Sequence, residues 1–182
     1  MTKLNELTGT YQLDASHSRV GFIARHAMIA KVRGSFDQVE GKAVIDGANP
    51  ANSTLEVTIQ TTSIDTRDAN RDGHLRSADF FDVEKYPTIT FVGTSFAIID
   101  DETVEVTGDL TIKDVTKSVT VPFEFGGAAV DPFGNSRIGF EGQVTVNRKD
   151  WGLTWNAALE TGGVLVGEKV VLDLEVSAVK AA

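Results

Sequence analysis

With 182 residues, 41% of them hydrophobic and 24% charged, the chain is long enough for one domain with its own core, and too apolar to be disordered or fibrous. It has no cysteine, which excludes a disulfide framework, a thiol nucleophile and a Cys-ligated metal. Lys and Arg number 17 against 26 Asp and Glu, and the resulting net charge of −9 argues against general nucleic-acid binding and against docking on anionic lipid headgroups.

The first fourteen residues contain no apolar run of signal-peptide length, so the chain reads as a cytoplasmic protein. Later apolar stretches are too short for stable membrane insertion by a helix. From residue 18 onward, period-two alternation dominates. Val20, Phe22, Ala24 and His26 share one face of a strand, and Arg19, Gly21, Ile23 and Arg25 share the other. A helical turn is expected around 27–31. Phe36 and Ala43 continue the apolar face, and a turn cluster follows at 46–53. Leu55, Val57 and Ile59 alternate with Glu56, Thr58 and Gln60. Residues 67–84 hold the one clear helical connection.

Phe91 opens the second half, and a turn at 99–102 leads to Val104, Val106, Gly108, Leu110 and Ile112 on one face. Val119, Val121, Phe123 and Phe125 form the next apolar face, where Pro122 marks an edge or a bulge. After a turn at 130–136 come Ile138, Phe140, Gly142, Val144 and Val146. Val170, Leu172, Leu174, Val176 and Ala178 form the last face. This pattern predicts an all-β domain over 1–182, with about eight to ten antiparallel strands and a short helical connection. A strand of 11 residues spans roughly 36 Å, and strands that long, with their edges accounted for, suggest closure into an elongated barrel.

An eight-stranded barrel either fills with side chains or holds one small ligand. Ala24, Gly34, Gly41, Ala43, Gly93, Gly108 and Gly142 place small residues on the apolar faces, which reads as a tube. The same glycines also suit strand coiling and barrel corners, and both readings stay open.

No catalytic elbow, dinucleotide fingerprint, phosphate loop or zinc-protease pattern is present. The three histidines, His17, His26 and His74, lack ligand spacing. Asp68, Asn70, Asp72, Gly73 and Asp79 mimic part of a calcium loop. A strand precedes that loop where a helix is needed, and Arg71 and Arg76 put positive charge into it, so no metal is expected. Arg71, His74 and Arg76 suit an anionic head group, with a solvated loop neutralised by Asp68, Asp72 and Asp79 as the other reading.

Four motifs recur in order: D-x-x-H-S at Asp14, His17 and Ser18; F-x-x-x-H at Phe22 and His26; R-D-x-H-L at Arg71, Asp72, His74 and Leu75; and F-F-D-V-x-x-Y-P from Phe80 to Pro87. With GDLTIKDVTKSV, FEGQVTVNRKDWGL and GGVLVGEKVVLDLEV, the chain resembles the YceI-like family from about Gly9 to about Ala178. The resemblance implies a lipocalin-like barrel with an internal apolar tunnel that binds long amphiphiles, chiefly polyisoprenoids such as polyprenyl pyrophosphates and isoprenoid quinones. Many members of the family are exported.

The expectation is therefore a non-enzymatic carrier or sequestering protein, with no cofactor beyond a bound polyisoprenoid lipid. The expected lining is Val20, Phe22, Ala24, Phe36, Ala43, Leu55, Val57, Phe91, Val106, Leu110, Phe123, Phe140, Gly142, Val144 and Leu172. His26 is expected near a polar head or in a structural bond. Trp151, Leu153 and Trp155 are expected to form a lid or close the core. A homodimer through an exposed strand edge is permitted. The rival readings are a lipid hydrolase or isomerase, and a stress-induced structural protein with an incidental cavity.

Overall fold

Alternating apolar and polar residues make strands here because the pleat sends successive side chains to opposite faces. The computed structural model describes residues 1–182. Its strands are β1 (Thr8–Leu13), β2 (Arg19–His26), β3 (Ala30–Phe36), β4 (Val39–Asp46), β5 (Thr54–Gln60), β6 (Ile64–Asp65), β7 (Thr88–Ile98), β8 (Thr103–Ile112), β9 (Val115–Val130), β10 (Ser136–Asn147) and β11 (Val166–Lys180). One helix, α1 (Ala69–Arg76), lies between β6 and β7. Asp68 caps it by accepting from the Arg71 amide.

Eight strands close an antiparallel ring in the order β1-β4-β5-β7-β8-β9-β10-β11, and β11 returns to β1 with Tyr11 opposite Lys180. This is the closed antiparallel barrel that the alternation predicts, in the elongated lipocalin-like form that the resemblance implies. Strands β2, β3 and β6 continue the sheet from β11 as a branch of the wall, with Val20 and Phe36 packed on the same core as the ring strands. The branch exists because β11 is long enough to serve two partners along one edge. Its Val166–Glu175 stretch pairs with β2, and Ala178–Lys180 pairs with β1.

Two expectations about local structure resolve differently. Pro122 does sit at an edge: β9 pairs with β10 only as far as Phe123 opposite Gly142, so the missing N–H of Pro122 faces no partner strand. The helical turn expected at 27–31 is instead a tight turn from β2 to β3, closed by the Ile29 amide donating to the His26 carbonyl. Ala27 and Met28 both take positive φ there, at 49° and 65°. Alternation continues straight through to β3, and a three-residue loop leaves no room for a helix.

The interior divides into two apolar clusters. Towards one end, Leu4 and Leu7 from the N-terminal segment pack on Tyr11, Ile138 and Ala178 and close the barrel. Towards the other, Ile59, Ile89, Leu110, Val119, Val121 and Trp151 form the larger cluster.

Candidate binding interior

The inward register decides what the barrel can hold. Val20, Phe22, Ala24, Phe36, Ala43, Leu55, Val57, Phe91, Phe123, Phe140, Gly142, Val144 and Leu172 are all half-buried, whereas Val106 and Leu110 are buried. Val20, Phe36, Val57, Phe91, Phe123, Val144 and Leu172 pack against the larger buried cluster, and Phe140 against the smaller one. The total accessible surface, 10209 Å², exceeds the roughly 8,500 Å² expected for a folded chain of 19.5 kDa, so the fold is more extended than a compact globule of its mass.

The glycines contribute differently from the tube that their small size suggests. A Cβ on Gly142 would stand 2.6 Å from Cδ1 of Phe123, and one on Gly93 would stand 2.6 Å from Cζ of Phe96. The Phe91 ring covers Gly108, and the Phe22 ring covers Gly34. A phenyl ring fills the space over each glycine, so these positions are occupied. Phe22, Phe36 and Phe81 follow one another at 5.8 and 5.7 Å, and Phe140 stands 6.5 Å from Phe123 and 5.2 Å from Phe125.

Two clefts indent the wall where neighbouring strands diverge. One, of about 220 Å³, opens between the branch and β4 and reaches Val20, Phe36 and Val39. The other, of about 370 Å³, opens where β9 and β10 separate and reaches Phe123, Gly142 and Leu174.

The arginine-rich segment is committed to the backbone. Arg71 donates from Nε to the Thr66 hydroxyl at 2.8 Å and from Nη2 to the Thr66 carbonyl at 2.7 Å. Arg76 donates to the carbonyls of Thr62 and Ile64, both at 3.0 Å. Asp72, only 7% exposed, accepts from the Thr66 amide and hydroxyl. These forks hold the β6–α1 connection. His74 bonds Asp79 at 2.9 Å and meets the Trp155 and Phe80 rings edge-on. The aspartates of the calcium-like pattern thus face three separate partners: an amide at the start of α1, Thr66 and His74.

Trp151 closes the core rather than forming a movable lid. It is 3% exposed, and its indole donates to the Leu110 carbonyl at 2.9 Å. His26 ends β2 exposed, opposite Ala30 and Val166, so its inward register runs out past the lined interior.

Sequence reasoning missed two residues. Phe81 enters the interior against Phe36 from the connection after α1, and its signal was the paired aromatics of the F-F-D-V motif. Arg148, 5% exposed, donates to the carbonyls of Leu153, Trp155, Val166 and Gly167 and stitches the 152–165 loop to β11. Burial holds its pKa below the ordinary arginine value, with the nearby Glu168 opposing that. A lone Arg in an N-R-K-D-W run gives no sign of this role.

These features define a closed, eight-stranded antiparallel barrel of the lipocalin type. The YceI-like domain family matches residues 11–178, and the chain belongs to that family. It is 41% identical over 145 residues to Protein YceI of Escherichia coli O157:H7, covering 79% of this chain and 75% of that one. Among solved structures, Burkholderia cenocepacia BcnA matches with a TM-score of 0.79 at 24% identity, covering 91% of this chain and 98% of BcnA. A polyisoprenoid binding domain from Saccharophagus degradans matches with a TM-score of 0.72 at 17% identity, covering 94% and 98%. At those identities the two structures bear on the fold. No helix is long and apolar enough to cross a membrane.

Proposed function

We propose that the barrel binds the tail of a long-chain isoprenoid lipid, such as a polyprenyl pyrophosphate or isoprenoid quinone, and sequesters or carries it without turning it over. The observation that carries this reading is the inward face of half-buried apolar side chains running from Phe22 and Phe36 to Phe140. An isoprenoid tail matches that surface in its lack of polar groups. Its burial supplies affinity at roughly 25 cal/mol per Å² of apolar area, less the cost of ordering the chain. The Saccharophagus degradans domain, described as polyisoprenoid binding, supports the choice of ligand class.

The test is native mass spectrometry of protein purified without detergent, before and after incubation with a polyprenyl pyrophosphate and a quinone. The expected result is one lipid adduct per chain, released unchanged on denaturation. Apoprotein alone, with no uptake of either lipid, would refute a carrier. Recovery of a converted lipid would replace carriage with catalysis.

A further inference from the structure

We infer that the β2–β3 hairpin is a membrane-surface contact that sets one end of the barrel against an anionic bilayer. The net charge of −9 argues against such contact, but the charge is segregated along the chain. Residues 15–36 carry Arg19, Arg25, Lys31 and Arg33 and no acidic residue, a charge of +4, so the remainder carries −9 − 4 = −13. The fold gathers three of these cations on one outer face of the hairpin. Arg25 stands directly opposite Lys31, and Arg33 lies two residues along from Lys31, opposite Ile23. Like charges placed directly opposite destabilise a strand pair. None of the three forms an ion pair within the protein. Glu168, on the adjacent β11, is held by Lys149 at 2.7 Å.

The tip between the two strands is apolar and exposed. Met28 is 61% exposed and Ile29 is 81% exposed. Ala27 and Met28 both take left-handed φ, the pattern of a turn that favours Asn-Gly. A turn that sacrifices its preferred residues to display Met and Ile, above a face of unpaired cations, matches the two layers of a bilayer surface. The apolar pair enters the acyl boundary while the cations meet phosphate. The acidic side chains set the orientation. Glu124, Glu141 and Glu175 stand side by side across β9, β10 and β11, with Glu175 opposite Arg19. Arg19 lies seven residues from His26, roughly 23 Å down β2. A bilayer that attracts the tip therefore repels this row, and the barrel docks end-on.

The inference rests on the lipid-carrier reading only for its purpose. The experiment is flotation of the full chain with vesicles of phosphatidylcholine alone or with 30% phosphatidylglycerol, across a salt series. The expected result is binding to the anionic vesicles only, weakening as salt rises. Lys31→Glu with Arg33→Glu should weaken partitioning by roughly thirtyfold or more. Met28→Ser with Ile29→Ser should weaken it at every salt concentration. Both variants should keep the circular dichroism spectrum of the parent.

Absence of binding to anionic vesicles, or variants that bind like the parent, would overturn the inference. So would a concentration-dependent dimer abolished by the charge reversal, which would assign the free edge of β3 to self-association. Lipid loading is read on the same samples by native mass spectrometry. Loading without vesicle binding defeats the docking alone, and vesicle binding without loading defeats the carrier reading alone.

Discussion

One hydroxyl joins the two halves of the barrel wall: Ser18 Oγ donates to the Ser177 carbonyl at 3.1 Å and accepts from the Ser177 amide at 2.9 Å. Ser177 lies between the part of β11 that pairs with β2 and the part that pairs with β1, where no strand backbone covers its edge. The Asp14 amide donates to the same carbonyl at 2.8 Å. The D-x-x-H-S motif is therefore the joint at which the branch leaves the ring.

Ser18→Ala is expected to destabilise the protein by about 1–2 kcal/mol, because the Ser177 amide loses its acceptor in a partly buried site. Equilibrium denaturation in urea measures this as a lowered midpoint with unchanged slope. A midpoint equal to that of the parent would show that water replaces the hydroxyl without loss.

Acid should loosen the same joint. The Ser16 hydroxyl, Arg137 and His17 together hold the Asp14 carboxyl well below its ordinary value of 3.8. Arg137, with Asn135, does the same for Asp131. A carboxylate whose folded pKa is depressed contributes stability in full above its unfolded pKa and loses it as pH falls towards the folded value. Melting temperature should therefore drop progressively below about pH 4. Arg137→Met should lower it at neutral pH and make the acid slope shallower. Parallel slopes for parent and variant between pH 4 and pH 2 would contradict this.

The rings over the glycines predict a coupling. Gly108→Ala places a methyl group 2.7 Å from Cε2 of Phe91 and should cost about 1–3 kcal/mol through overpacking. Phe91→Ala removes the ring and leaves a void. The double variant should be more stable than the sum of the two single costs predicts, since each change relieves the other. Thermal denaturation of all four proteins gives the interaction energy, and strict additivity would show that the ring moves aside freely.

Arg148→Lys should destabilise the 152–165 loop despite keeping the charge. A guanidinium fork spans four carbonyls, whereas an ammonium is a single point donor. The expected signature is a loss of at least about 2 kcal/mol, with faster amide exchange in the loop and on Val166. Unchanged exchange there would mean that the loop is held by its own Asn156 contacts to Ala157 and Val166.

The sequence by itself determined which side chains face inward. The pleat has a period of two, so Val20, Phe22 and Ala24 share a face whatever their neighbours are. It also carried the closed ring, because long strands with alternating faces leave few other ways to bury one side. What lies between strands was decided only in three dimensions. Whether Gly142 leaves space depends on Phe123 being its cross-strand partner, a matter of register. Whether Arg71 and Arg76 face a ligand depends on the carbonyls of Thr62, Ile64 and Thr66 left unpaired beside a two-residue strand. The branching of β11, and the cationic face beneath Met28 and Ile29 on a chain of net −9, arise because strand pairing brings residues together across distances that composition cannot register.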